Sequence, residues 1–423
     1  MTTSEFRAGE EFAAALDASD PLAHFRDRFH IPKTKTGTDC IYLCGHSLGL
    51  QPKTARAYLE QELRDWAELG VEGHFQAKNP WMPYHRLLTQ QTADVVGAQP
   101  AEVVGMNSLT VNLHLMMVSF YRPTTERHKI LVEGGAFPSD QYAVKSQILF
   151  HGFDPASSLL ELTPREGESC LRDEDIESLI EREGKSIALI LIGGVNYVTG
   201  QVFDMAGITQ AGHRKGCLVG FDLAHAAGNV PLQLHDWGPD FAVWCNYKYL
   251  NGGPGCVGGC FVHERHARAW ELPRFAGWWG HDEGTRFQMG PDFHPIEGAE
   301  GWQLSNPPIL ALAAMRASLE IFVEAGLERV HAKGTSLTAY MQFLLDQQGS
   351  PKFSVITPRE ETRRGAQLSL RLLRGGRKLC DQLAAAGVIG DWREPDTFRV
   401  AAVPLYNSYQ DVYRFVQRFA ALT

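Results

Sequence analysis

The chain has 423 residues, more than one compact core ordinarily holds, so two domains are expected. Its 44% hydrophobic and 21% charged residues fit a globular protein, and no segment reaches the ~20 continuous apolar residues of a membrane helix. A net charge of −9 without a long basic run argues against a phosphate-backbone partner, so neither nucleic acid nor membrane is expected.

The N-terminus is acidic and amphipathic, without a basic start, an apolar core or a cleavage site. Eight cysteines are scattered, several inside apolar segments such as Ala242-Val243-Trp244-Cys245. Such usage predicts buried thiols in a reducing, cytoplasmic setting rather than a disulfide framework.

Asp20-Pro21 predicts a helix through Phe25, with a capping carboxylate and a proline at the first helical position. Residues 54–69 predict an amphipathic helix, since Ala55, Tyr58, Leu59, Leu63 and Trp66 recur near helical spacing. From about residue 105, short apolar runs alternate with helical stretches. Strands are expected at 129–132, 187–192, 217–221, 241–244 and 256–262, with helices at 172–183 and 205–215 among them. That alternation predicts an α/β domain with a mostly parallel sheet, whose ligands gather beyond the carboxyl ends of the strands. After Asn306-Pro307-Pro308 a helix at 309–323 leads toward a second domain, with strands at 367–372 and 398–403 and a last helix after Asn407.

Four places carry residues with chemistry to offer. Glu133-Gly134-Gly135-Ala136-Phe137-Pro138-Ser139-Asp140 follows the first strand, and Ser139 and Asp140 read as caps of the next helix. Asp222 ends an apolar strand before Leu223-Ala224-His225, where an acid is costly unless a cation meets it. Tyr247-Lys248-Tyr249 precedes the turn Asn251-Gly252-Gly253-Pro254-Gly255, and burial would give Lys248 the free amine a Schiff base needs. Asn107-Ser108-Leu109-Thr110 enters a helix whose free N–H groups suit an anion. Pyridoxal phosphate (PLP) requires an amine, an acid at the ring nitrogen, an aromatic or imidazole plane and a phosphate cradle, and these four places supply them.

The order Asp-x-Ala-His and then Tyr-Lys-Tyr before a glycine-rich turn resembles class V of the fold-type-I PLP enzymes. Within that class the chain resembles the kynureninase family. The stretches that carry the likeness are Gly45-His46-Ser47-Leu48-Gly49-Leu50, Phe137-Pro138-Ser139-Asp140, Val219-Gly220-Phe221-Asp222-Leu223-Ala224-His225-Ala226 and Leu234-His235-Asp236-Trp237-Gly238. It continues through Tyr247-Lys248-Tyr249-Leu250, Gly277-Trp278-Trp279-Gly280-His281, Ser305-Asn306-Pro307-Pro308 and Val403-Pro404-Leu405-Tyr406-Asn407.

The resemblance implies a large domain over 56–310 with a mostly parallel seven-stranded sheet, a small α/β domain over 311–423, and an N-terminal helical segment, 1–55, packed on the small domain. It implies a homodimer with the site at the interface. Lys248 would hold PLP as a Schiff base, Asp222 would face its ring nitrogen, Phe137 would stack on the ring and His225 would lie near it. Leu109, Thr110, Pro138, Ser139, Asp140, Tyr247, Trp278 and Asn306 would make the phosphate-side and neighbouring contacts. Arg399 would grip the substrate's α-carboxylate, Ser47 would also face substrate, and His74 and Asn306 would line an aryl pocket favouring 3-hydroxykynurenine. The implied reaction is hydrolysis of the Cβ–Cγ bond of L-kynurenine or 3-hydroxykynurenine, giving L-alanine and anthranilate or 3-hydroxyanthranilate, in tryptophan catabolism or NAD biosynthesis. Lys248 and Tyr247 would be its acid–base groups. Two positions depart from the family pattern: His46 stands where Asn is frequent, and Gly193 where a small hydroxyl residue is.

Cysteine desulfurases share the lysine and the sheet but need a late cysteine on a mobile loop, whereas Cys380 sits in a helical pattern. A metal centre from Cys256, Cys260, His263 and His266 has crowded spacing and lies in an apolar strand, so no metal is expected.

Overall fold

A strand that is apolar at every position belongs between two covering layers. Ile187–Gly193 is such a run, buried at every residue but its last. In the computed structural model, which describes residues 6–422, it lies inside a seven-stranded sheet. The strands are β1 Val103–Met106, β2 Lys129–Glu133, β3 Leu159–Leu162, β4 Ile187–Gly193, β5 Leu218–Asp222, β6 Phe241–Cys245 and β7 Gly258–Val262. Their spatial order is β1-β7-β6-β5-β4-β2-β3. Neighbours from β3 through β6 pair parallel, and β7 runs antiparallel to both β6 and β1. The carboxyl ends of β2, β4, β5 and β6 therefore open at one end of the sheet, where the chemistry-bearing residues were expected.

Helix α1 Glu10–Ser19 packs in a second core, whereas the helices around this sheet include α2 Ala55–Leu69, α3 Leu109–Phe120, α4 Pro138–Phe150, α5 Asp173–Glu183 and α6 Met205–Arg214. Five predicted strands are present within one or two residues of the expected bounds. β1 and β3 were not anticipated: each has four residues, too few to establish a period. The segment after Asp20-Pro21 is a 3-10 helix, Ala23–Arg28, rather than an α-helix. Asp20 Oδ1 accepts the Leu22 N–H at 2.9 Å, a local turn that tightens the chain at that point.

The long helix after the prolines is α7 Ile309–Ala325, followed by α8 Leu327–Gln348, α9 Gly376–Ala385 and α10 Tyr409–Leu422. A second, antiparallel sheet holds β8 Phe353–Val355, β9 Gln367–Leu372, β10 Asp391–Arg393 and β11 Thr397–Ala401, in the order β10-β11-β9-β8. Its core joins Leu368, Phe398 and Phe415 to Phe6, Leu16 and Leu43 from the start of the chain. Truncating one of these fully buried side chains to alanine costs about 2–5 kcal/mol. Lys333 and Asp20, both nearly buried, pair at 2.7 Å and tie the N-terminal segment to α8. No helix among the described residues is long and apolar enough to cross a membrane.

Candidate active site

The pocket forms where four strand ends meet two helix starts. Asp222 ends β5, Glu133 ends β2, Gly193 ends β4, and β6 runs into the turn that carries Lys248. Asn246 locks that turn: its amide donates to the Val257 carbonyl at 2.8 Å, and its oxygen accepts from Trp244 Nε1 at 2.9 Å. The glycine beyond is required, because a Cβ on Gly252 would fall 2.4 Å from Cys256 Sγ. Lys248 is half-buried, with Nζ 6.0 Å from the Phe137 ring centroid and 5.9 Å from that of Tyr247.

Helices α3 and α4 begin at this pocket, and Thr110 and Ser139 join their first turns through hydroxyls 2.9 Å apart. Pro138 takes the first helical position of α4 after Phe137, so Ser139 and Asp140 lie inside the first turn and do not cap it. Between the strand ends and these helix starts lies a cavity of about 90 Å³ that opens to solvent. Leu109, Thr110, Phe137, Ser139, Asp140 and Asp222 line it, together with His225, Tyr247 and Lys248.

Three carboxylates converge at its floor. Asp222 Oδ1 accepts the Ala224 N–H at 2.7 Å, which aims the carboxylate back into the pocket. Burial pushes Glu133 up to about 7, and its Oε2 accepts the Gly193 N–H at 2.9 Å. Burial, and then the charge of Asp222, holds Asp140 well above the usual carboxyl range. Burial also keeps His225 well below the usual imidazole range, with Lys248 and Arg399 adding to the effect.

Two buried polar atoms here lack partners in the protein: Asp140 Oδ1 and His225 Nδ1. Each costs about 1–3 kcal/mol unless a bound group meets it. A pyridinium ring suits that need, since its cationic nitrogen answers the acids while the phosphate takes the helix starts. The residues present fit PLP.

Arg399 is fully buried on β11, directly opposite Asp391 in the register with β10. Its guanidinium pairs with Asp391 and donates to the Tyr197 carbonyl at 2.5 Å, while Nε has no partner. Asp391 also meets Arg393 at 2.9 Å and His46 Nε2 at 3.7 Å. His46 is fully buried, 6.4 Å from His225 between ring centroids, and so stands beside both the pocket and Arg399. Ser47 is half-buried beside it, its N–H donating to the Cys44 carbonyl at 3.0 Å.

Ser47, Pro138 and Arg399 do not line the pocket itself, and three further expected residues stand outside it. His74 is half-buried, with Nδ1 3.0 Å from the Val71 carbonyl. Trp278 is exposed and donates from Nε1 to the Arg286 carbonyl at 3.2 Å. Asn306 is exposed before Pro307. The cysteine–histidine set does not converge either: Cys260 Sγ faces Met116, His266 bonds Asp240 at 2.8 Å, and His263 turns toward Glu102.

Sequence reasoning gave no role to Glu133, Tyr197 or Asp391. Glu133 is a strand-terminal acid like Asp222 and was readable by the same argument. Tyr197 acts through its carbonyl and an edge-on contact to Phe137 at 5.2 Å, which no residue pattern announces.

Residues 330–419 match the kynureninase C-terminal domain family. The chain is 70% identical over 421 residues to the kynureninase of Koribacter versatilis, covering 100% of this chain and 99% of that one. It is 60% identical over 418 residues to the kynureninase of Myxococcus xanthus, covering 99% and 98%. Among solved structures it resembles a C-DES mutant with glycine covalently linked to the PLP cofactor, at a TM-score of 0.77, 17% identity and coverage of 90% and 96%. It also resembles the cysteine desulfurase CsdA of Escherichia coli, at a TM-score of 0.76, 17% identity and coverage of 95% and 98%. These two likenesses concern the fold, that of the fold-type-I PLP enzymes.

Proposed function

Because the chain belongs to the kynureninase family, a PLP-dependent hydrolase that cleaves kynurenine, we propose the following division of labour among its residues. The observation that carries it is the convergence of Lys248, Asp222, His225 and Phe137 on one pocket at the carboxyl ends of the strands. Lys248 is the amine that holds the cofactor. Asp222 holds a proton at the ring nitrogen, and Phe137 covers the ring face. Leu109, Thr110, Ser139 and Tyr247 take the phosphate side, with Pro138 and Asp140 setting the start of α4 beneath them.

PLP, when bound, supplies the electron sink that acidifies the substrate's Cα and accepts the electron pair of the Cβ–Cγ bond. Lys248, released by substrate, removes the Cα proton and returns protons in later steps. Burial raises the Tyr247 phenol, so it enters the γ-carbonyl hydration step as a proton donor. Arg399 receives the α-carboxylate with its two-pronged fork, and Ser47 contacts substrate beside it. The acyl fragment leaves as the aryl acid, and Cβ is protonated to give L-alanine.

The chain acts as a homodimer, with Trp278, Asn306 and His74 facing the site of the second copy. Exposed Trp66, Phe75, Trp278 and Phe287 provide apolar surface for that association. The large domain spans 56–310 and the small one 311–423, with 1–55 packed on the latter. His74 and Asn306 select 3-hydroxykynurenine, because burying their polar groups against an unsubstituted ring costs about 1–3 kcal/mol. Mixing Asn306→Ala chains with an excess of inactive Lys248→Ala chains tests the shared site: the working site of the hybrid dimer regains the parental substrate ratio if the site is shared and keeps the lowered Asn306→Ala ratio if it is not. The ratio of kcat/KM for 3-hydroxykynurenine over kynurenine should fall in His74→Ala and Asn306→Ala. A parent that prefers plain kynurenine overturns the selectivity assignment alone.

A further inference from the structure

The stretch Leu234-His235-Asp236-Trp237-Gly238 plays no part in the pocket. β7 runs antiparallel to β6, so His263, just past its end, lies at the start of β6, the end of the sheet away from Lys248. Glu102, just before β1, and His235 meet it there.

Glu102 is fully buried, and His235 Nδ1 lies 3.1 Å from each of its carboxylate oxygens. One backbone N–H braces each oxygen as well, Glu264 on Oε1 and Gln99 on Oε2, both at 2.8 Å. His263 Nδ1 stands 3.9 Å from Oε1, and the two imidazoles are parallel within 9°, with centroids 5.5 Å apart. His263 Nδ1 accepts the Arg265 N–H, so it is the lone-pair nitrogen, while Nε2 donates to the His235 carbonyl at 3.2 Å. A ring N–H given to a backbone carbonyl is the support that orients metal-ligating histidines. The nearest cation, Arg265, is committed to Asp240 and to the Gly238 carbonyl.

We propose that Glu102, His235 and His263 form a site for a divalent transition-metal ion of the zinc type, clamping three distant chain segments at the end of the sheet opposite the cofactor pocket. The separations of 3.1 Å from His235 and 3.9 Å from His263 to Glu102 Oε1 bracket the roughly 3.4 Å between ligands about 2.0–2.2 Å from one tetrahedral ion. The ion displaces the proton that His235 shares with Glu102, and His263 exchanges its bond from the Arg265 N–H for the metal. His235 and His263 are 28% and 13% exposed, which leaves water access to the remaining coordination position.

The test uses chelator-treated holoenzyme titrated with ZnCl2, desalted, and analysed for metal and for thermal midpoint. About one zinc per chain should remain, and the midpoint should rise by about 2–5 °C. His263→Gln keeps the His235–Glu102 pair, so it isolates the metal from the ion pair. That variant should lose at least about tenfold in zinc affinity and the midpoint shift, with kynurenine turnover unchanged. His235→Gln should lose the zinc too. Equal retention in parent and both variants, or none in the parent, overturns the proposal.

Discussion

Glu133 fills the space that Gly193 leaves open. Its Oε2 accepts the Gly193 N–H at 2.9 Å, and a Cβ on residue 193 would fall 2.8 Å from Oε1. The glycine at position 193 is thus matched by an acid from the neighbouring strand.

Burial raises Glu133 from about 4.5 to about 7 in the folded chain. The folded state therefore keeps a proton that the unfolded chain has already released. The stability linked to this group is full below the ordinary carboxyl range and is lost as pH rises through about 7. Melting of cofactor-stripped parent and Glu133→Gln between about pH 5 and pH 8 should show the parent losing about 2.5 kcal/mol relative to the variant. Parallel pH profiles would contradict the assignment. Gly193→Ser should displace the carboxylate and abolish the same slope.

Asp222→Asn keeps the shape of the strand end and the bond to the Ala224 N–H but removes the carboxylate charge proposed to face the ring nitrogen. Turnover should fall by roughly a hundredfold or more, while cofactor affinity, read by absorbance titration, changes far less. Unchanged turnover would leave Asp222 as a local turn-former only.

Arg399→Lys should raise KM by about tenfold or more with a smaller change in kcat, since a point charge cannot reproduce a fork. The absorbance of bound cofactor should be unaffected. Normal kinetics would transfer the role to Arg371, whose side chain is 41% exposed and faces Asp396.

The parts of the fold most legible in the sequence were those with a long, uniform signal. Ile187–Gly193 and Ile309–Ala325 were read to within about two residues because burial on both faces, or one apolar helical stripe, extends over many positions. β1 and β3 carry too few residues for any period to show. Within the site, Lys248 and Asp222 were legible because a charge at the end of an apolar run is costly wherever it occurs. Trp278, Asn306 and His74 lie away from the pocket, and no pattern along the chain reveals what they face. Asp391 belongs to a three-residue strand and acts on Arg399 through cross-strand register, which only the folded sheet displays.

The central claim is that Lys248 is the amine that holds the cofactor, and borohydride reduction of the PLP-loaded protein tests it directly. Reduction should fix one cofactor per chain, and peptide mapping should place it on Lys248. Lys248→Ala should take up no label and should lose several decades of kynurenine turnover. Label on a different lysine, or a Lys248→Ala protein that still cleaves kynurenine at the parent rate, would contradict the account.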